Sequence, residues 1–238
     1  MPDFSTRSYD KELLDRDDIP FKDIKRNMQE LEYINTNLGG HKITLDGFKK
    51  FCTGSKENFL SVCEIGCGGG DNLKAIDKWC KKNKITANLM GVDINKDCID
   101  YAKENCENIP GIKFIISDYK LASFQNKKPA VIFSSLFCHH LDNEQFIEML
   151  RWCKQNSATG FFINDLHRHF LAYYSIKLLT VLFSKSYLVK NDAPLSVRRG
   201  FRKNEIKSYL SAAGNAAYSI EWKWAFRWLI ISTNSNTA

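Results

Sequence analysis

Glycines at alternate positions, beginning two residues after an acid, carry the first chemical signal in this chain. The stretch Leu60-Ser61-Val62-Cys63-Glu64-Ile65-Gly66-Cys67-Gly68-Gly69-Gly70 passes from an apolar run through Glu64 into the spacing G-x-G-x-G, and Asp71 follows. Glycine lets the backbone take positive φ and approach a ligand closely, so a buried strand here is expected to turn sharply into a helix whose N-terminus faces a bound molecule. A second apolar run, Leu89-Met90-Gly91-Val92-Asp93, also ends in an acid. A carboxylate at such a strand tip can accept from both hydroxyls of a ribose; the structural alternative is that Asp93 caps the helix opening at Ile94-Asn95-Lys96. The pair of strand ends reads as a nucleoside site.

Groups able to move a proton lie further along. The run Val131-Ile132-Phe133-Ser134-Ser135-Leu136-Phe137-Cys138 leads into His139-His140-Leu141-Asp142. Imidazole titrates near neutral pH, so His139 or His140 could deprotonate a hydroxyl. The alternative is that one packs and the other caps a helix near Asp142; adjacent residues in a turn point apart, so at most one is expected to reach a substrate. Asn164-Asp165-Leu166-His167-Arg168-His169 follows the apolar run 160–163 and offers His167 as a competing base and Arg168 as a partner for an anionic acceptor. No metal is expected, because neither H-E-x-x-H nor C-x-x-C spacing occurs.

These groups need a frame, and the apolar pattern supplies one. Strands are expected at about 60–65, 88–93, 112–116, 130–134, 160–164, 216–224 and 226–232, with helices at about 71–82, 95–106, 143–154, 168–184 and 203–213. Alternating strands and helices imply right-handed crossovers and a doubly wound, mainly parallel α/β sheet. The last two strands, joined near Ala225-Phe226, form a hairpin, which makes the final strand antiparallel. Ahead of the alternation, Asp17 to Phe51 reads as helical. Ile24, Met28, Leu31, Ile34 and Leu38 recur at helical spacing, Gly39-Gly40 interrupts, and a short second helix spans about 44–52. The expected organisation is an N-terminal helical cap (1–58) and an α/β domain (59–238) with a helical insert at about 166–197.

The glycine spacing bears on the ligand. In G-x-G-x-x-G a pyrophosphate meets the helix N-terminus, but the third position counted from Gly66 is Asp71, an acid. The G-x-G-x-G loop with Glu64 before it resembles motif I of class I S-adenosylmethionine-dependent methyltransferases, and the resemblance covers roughly residues 59–232. It implies a seven-stranded fold with S-adenosylmethionine as cofactor. It also implies cofactor contacts from Glu64, Gly66, Cys67, Gly68, Asp93, Ile94 and Ser134. By the same likeness Asp118 would accept from the adenine amino group and Tyr119 would flank the ring, unless Asp118 only caps a turn. After the fourth strand the family's amino-methylating members carry Asn/Asp-Pro-Pro-aromatic and its cytosine-C5 members Pro-Cys; both are absent. His139-His140-Leu141 with Asp142 is similar to the stretch found in small-molecule members, the quinone-biosynthesis type included. The fifth-strand segment and Leu38-Gly39-Gly40 also look like methyltransferases encoded beside aromatic polyketide synthases. The acceptor implied is a hydroxyl of a phenolic, quinone-like or polyketide-like compound. The aromatic stripe over 170–187, Tyr173 and Tyr174 included, could wall such an acceptor or simply pack as core or lid, and the basic segment 196–201 could close over the pocket.

Composition narrows the alternatives. The chain has 238 residues, 44% of them hydrophobic, enough for one domain with a modest cap. Eight cysteines without a regular framework, and a polar, acidic start in place of a signal peptide, point to a reducing cytoplasm. The stretch 170–189 is interrupted by Lys177 and Lys185 and is not a membrane span. A net charge of +7 leaves an RNA methyltransferase as an alternative, but only Arg198, Arg199, Arg202 and Lys203 cluster tightly. A nicotinamide oxidoreductase would fit a looser reading of the glycine loop, and a non-catalytic binding module would bind cofactor without transferring a methyl group.

Overall fold

The computed structural model describes residues 2–16, 18–52, 59–124 and 127–234. Asp17, the expected start of the first helix, and the residues at the expected boundary between cap and domain (53–58) lie outside the described residues. The described chain forms α1 (Phe21–Asn37), α2 (Gly40–Cys52), β1 (Phe59–Ile65), α3 (Asp71–Lys82), β2 (Thr86–Asp93), α4 (Lys96–Asn105), β3 (Ile112–Ile116), β4 (Val131–Ser135), α5 (Asn143–Asn156), β5 (Gly160–Leu166), α6 (Phe170–Phe183), α7 (Tyr187–Arg199), α8 (Lys203–Ala212), β6 (Tyr218–Lys223) and β7 (Arg227–Thr233).

The strands build one sheet in the order β3-β2-β1-β4-β5-β7-β6. The first five are parallel, and β7 runs antiparallel between β5 and β6. Apolar residues on successive positions of a strand point to opposite faces, so strands such as β4 feed two cores. Cys63, Ile132 and Phe161 pack on one side with Phe146, Met149 and Leu150 of α5 and Ile206 and Leu210 of α8. Val62, Val131 and Phe133 pack on the other with Phe48 of α2, Leu73 and Ile76 of α3 and Ile99 of α4. Chain order reverses between β1 and β4, which opens a crevice above the C-terminal ends of those strands.

Two segments differ from the sequence expectation. The second helix starts at Gly40 rather than near Thr44, because Gly39 at φ 81° makes the turn alone. The insert is a helix pair and not one helix with a trailing flap. Ser186 caps α7, its hydroxyl accepting from the amide of Val189 at 3.4 Å, and α7 tolerates Pro194 within it. Glu30 of α1 pins the α6–α7 turn by accepting from the amides of Lys185 and Ser186, both at 3.1 Å. Of the segment 196–201, expected to close over the substrate, Ser196 and Val197 at the end of α7 line the cavity, whereas Phe201 is locked beside β5, donating its amide to the Leu166 carbonyl at 2.9 Å and fully buried. At Gly200 a Cβ would stand 2.7 Å from that same carbonyl, so only glycine permits the approach.

Among the described residues no helix is long and apolar enough to cross a membrane, and all eight cysteines are free thiols.

Candidate active site

The turn after β1 is built to leave backbone facing the crevice. Gly66 has φ 68°, and a Cβ there would fall 2.4 Å from Cγ of Phe137, which packs over the loop. Asp93, at the tip of β2, holds the loop from the other side. Its Oδ2 accepts from the amide of Gly68 and its Oδ1 from the amide of Asn95, both at 2.9 Å. Asn95, not Asp93, caps α4, accepting from the amides of Asp97 and Cys98 at 2.9 and 3.1 Å. Burial pushes the Asp93 carboxyl up in pKa, against the amides that hold it down. Ile94 next to it is 70% exposed and forms part of the crevice wall.

Two buried groups of opposite sign are left incomplete. Glu64 is fully buried; its Oε1 accepts from Nδ2 of Asn72 at 2.9 Å, while Oε2 has no partner. Burial, reinforced by Asp71 and Asp93, pushes its pKa well above the ordinary carboxylate value. Arg227, at the start of β7, donates Nη2 to Oδ1 of Asn35 at 3.1 Å, and its buried Nη1 has no partner. Burial lowers the guanidinium pKa to about 10 despite the nearby Asp165 and Asp71. Orphaned buried polar atoms cost stability, so such groups mark places where a bound molecule completes the bonding. Both residues line one cavity of about 1150 Å³ together with Gly66, Gly68, Asp93 and Ile94.

The histidine pair stands on the same cavity. Leu136, forced to φ 55° after β4, turns the chain into the short helical turn Cys138–His140. His139 is buried, with Nδ1 2.8 Å from Oδ1 of Asp165 and Nε2 3.6 Å from Oε1 of Glu12. His140 is half-buried, with Nδ1 3.1 Å from Oδ1 of Asp15 and Nε2 3.6 Å from Oε2 of Glu12. Both rings line the cavity, where only one was expected to reach it. Burial works against the charged form of His140, but the carboxylates of Asp15 and Glu12 outweigh it and raise the pKa; the same contact lowers Asp15. Arg199 braces the turn from behind, donating to the carbonyls of His139 and His140 at 3.1 and 2.8 Å.

Of the other expected site residues, Ser134, Asp118, Tyr119, His167, Arg168, Tyr173 and Tyr174 are not on the wall of this cavity. The Ser134 hydroxyl is spent on the carbonyl of Ile65 at 2.9 Å. Asp118 accepts from the amide of Lys120 at 2.9 Å, the turn-capping alternative, and Tyr119 is buried edge-on against Trp152. His167 accepts from Nε1 of Trp222 at 3.3 Å and lies in a separate shallow hollow, where burial and the neighbouring cations lower its pKa to about 4. Arg168 is not free to bind substrate: all its nitrogens are engaged, with the carbonyls of Phe4, Ser5 and Gly200 and with both oxygens of Glu205. Tyr173 packs edge-on against Phe4 and Tyr174 is exposed; α6 turns Ala172, Ile176 and Leu179 to the cavity instead. Cys67 is at the cavity, but its sulfur packs toward Gly91 and burial keeps the thiol protonated.

Sequence reasoning missed Glu12, Asp15 and Arg227. The acids sit in a short polar segment without periodicity, and Arg227 reads as an ordinary strand-start residue. The basic quartet is also not one surface patch, because Arg199 is buried and Arg198 pairs with Asp10 at 3.4 Å.

Residues 62–160 match the family described as a methyltransferase domain. A curated relative, the mitochondrial ubiquinone biosynthesis O-methyltransferase of Saccharomyces cerevisiae, is 27% identical over 158 residues, or 64% of this chain; the chain spans 42% of that protein's length. Among solved structures, the plantazolicin methyltransferase in complex with SAH superposes with a TM-score of 0.65 at 18% identity, covering 88% of this chain and 90% of that one. Magnesium protoporphyrin IX methyltransferase from Synechocystis PCC 6803 with bound SAM gives 0.59 at 12% identity, covering 92% and 100%. At these identities the structural likeness speaks for the fold.

Proposed function

We propose that the chain is a class I S-adenosylmethionine-dependent methyltransferase that methylates a hydroxyl of a small phenolic, quinone-like or polyketide-like compound. The observation that carries this reading is the shared cavity. The glycine loop, Glu64 and Asp93 form one wall, and the histidine pair with the apolar side of α6 forms another. Its volume of about 1150 Å³ exceeds the roughly 300–1,000 Å³ typical for one small ligand, leaving room for cofactor and acceptor together.

The residues present fit the cofactor. Glu64 Oε2 suits an ammonium group, Arg227 Nη1 suits a carboxylate, and each Asp93 oxygen accepts a single amide bond and has capacity left for a ribose hydroxyl. Asp71 disfavours a pyrophosphate; it opens α3 and holds Nε2 of His41 at 2.7 Å. When bound, S-adenosylmethionine supplies a methyl group on a positively charged sulfur, which an oxygen nucleophile displaces in line.

The protein's part is alignment, exclusion of water and removal of the hydroxyl proton. Met28 of α1 stands over the glycine loop, and α1, α6 and α7 contribute to the cavity wall. The Glu12, His139 and His140 group is where an acceptor hydroxyl would lose its proton, and the apolar residues of α6 favour a lipophilic ring. The yeast relative, which by its name acts in ubiquinone biosynthesis as an O-methyltransferase, supports an oxygen acceptor.

Calorimetric titration with S-adenosylhomocysteine and, in parallel, NADH tests the cofactor, and a screen of phenols with labelled methyl donor tests the acceptor. Binding of the first ligand alone with label transferred to a phenol is expected. Binding of NADH alone would overturn the reading, and strongly salt-dependent RNA binding would favour the nucleic-acid alternative.

A further inference from the structure

We propose that Glu12, His139 and His140 form a binding site for a divalent first-row transition metal on the wall of the cavity. The inference rests on the methyltransferase reading only for its consequence; the site itself is a matter of geometry. One oxygen of Glu12 and one nitrogen of each histidine all lie within 4.8 Å of one another. Each Nε2 stands 3.6 Å from a different oxygen of Glu12. That separation is too long for a hydrogen bond. It suits the edge of a coordination shell, since metal–ligand bonds of about 2.0–2.2 Å in a tetrahedron place neighbouring donors roughly 3.3–3.6 Å apart.

The outer contacts support the assignment independently. A histidine that ligates through Nε2 characteristically donates its other N–H to a carboxylate, which fixes the tautomer and raises the basicity of the ligating nitrogen. Both histidines have that arrangement, His139 with Asp165 at 2.8 Å and His140 with Asp15 at 3.1 Å. With both Nδ1 atoms so occupied, both Nε2 atoms are turned toward Glu12, whose Oε1 also accepts from the Ser196 hydroxyl at 2.7 Å. A dication between them would satisfy the carboxylate and both nitrogens at once.

The electrostatic surroundings also suit a dication. Glu12, Asp15 and Asp165 contribute three carboxylates, whereas the cation facing Glu12 and Asp15, Arg199, spends its donors on the carbonyls of Asp10, His139 and His140. Two imidazoles and one carboxylate are the donors of 2-His-1-carboxylate sites, which take Zn²⁺, Co²⁺ or Fe²⁺ and leave positions open. Here the open side is the cavity. An acceptor hydroxyl reaching it would bind through oxygen and lose its proton to water, and the oxygen would keep the electron pair that attacks the methyl carbon, while the carbon–sulfur bond breaks and its pair leaves on the thioether sulfur. This is a metal-dependent way to do what a free imidazole would otherwise do.

The test uses the full chain stripped with EDTA and titrated with Co²⁺, reading the visible d–d absorption and calorimetric stoichiometry with S-adenosylhomocysteine affinity measured in parallel. One Co²⁺ per chain is expected. Glu12→Gln and His140→Asn should abolish the band, and Asp165→Asn should weaken binding about 10–100-fold while leaving the cofactor affinity unchanged. Failure of Co²⁺ and Zn²⁺ to bind a chain that still binds S-adenosylhomocysteine would overturn the metal site alone. Binding that survives both ligand substitutions would overturn it as well. Loss of S-adenosylhomocysteine binding by the unmodified chain would overturn the methyltransferase reading, not this one.

Discussion

Oδ1 of Asp165 stands 2.8 Å from Nδ1 of His139, with both side chains shut away from water. This contact ties the end of β5 to the turn after β4 and decides which nitrogen of His139 carries the proton. The carboxylate also accepts from the amides of His139 and Leu166 at 3.3 and 2.7 Å. Burial alone would raise the Asp165 pKa, but the His139 ring, the amide of Leu166 and the nearby Arg227 hold it below the ordinary carboxylate value.

Replacing Asp165 with Asn keeps the shape but lets the amide present an N–H to the imidazole, which favours the other tautomer. Turnover in the labelled-methyl assay is expected to fall about 10–100-fold, with the S-adenosylhomocysteine affinity within about twofold of the parent. A fall in affinity as large as the fall in turnover would make Asp165 a general support of the cavity.

The His140–Asp15 contact makes stability depend on pH. The folded pKa of His140 is raised, so its contribution is fully present below the unfolded histidine value of about 6.5 and is lost as pH rises through the higher folded value. Metal-free protein is expected to melt at a lower temperature at pH 8 than at pH 6, and His140→Gln should flatten that difference. Each kcal/mol of pH-dependent stability corresponds to roughly 2–4 °C for a chain of this size. Equal slopes in parent and variant would assign the effect elsewhere.

Glu64→Gln separates stability from ligand binding. The glutamine carbonyl can still accept from Asn72, and no buried carboxylate remains to be neutralised, so the melting temperature should hold or rise. The orphaned oxygen becomes an NH₂, which repels an ammonium group. Calorimetry is expected to show S-adenosylhomocysteine bound at least about tenfold more weakly, or about 1.4 kcal/mol. Unchanged affinity would remove Glu64 from the cofactor site.

Arg168→Ala is expected to act on the fold and not on the acceptor. Its side chain is fully buried and ties the N-terminal segment to Gly200 and Glu205. Breaking a buried pair of this kind costs roughly 3–5 kcal/mol, so a melt should show a loss of about 10 °C. The KM for a working acceptor, measured well below the melt, should stay the same; a selective rise in KM would restore the substrate role read from the sequence.

The frame of this protein was legible because the signals for it are local. Alternating apolar runs placed α3 and β3 to the residue, and the acids at the ends of β1 and β2 marked the crevice, since a strand tip and its glycine turn are contiguous in the chain. Tyr119 shows where that logic stops: it follows a strand end as a site residue would, yet packs against Trp152, because which side of a turn faces the crevice depends on the helix beneath it. Arg168 likewise looked free for a ligand until the N-terminal segment consumed its donors.

By itself the sequence determined the fold class, the glycine loop and the acids at the tips of β1 and β2. Only the tertiary structure brought Glu12 and Asp15 against His139 and His140, groups about 125 positions apart, and set Arg227 opposite the β1 crevice wall in one cavity. The reason is physical. Periodicity and turn chemistry are short-range properties that a few neighbouring residues impose, whereas the meeting of distant side chains depends on how the N-terminal segment and the α6–α7 insert pack over the sheet. No local pattern records that packing.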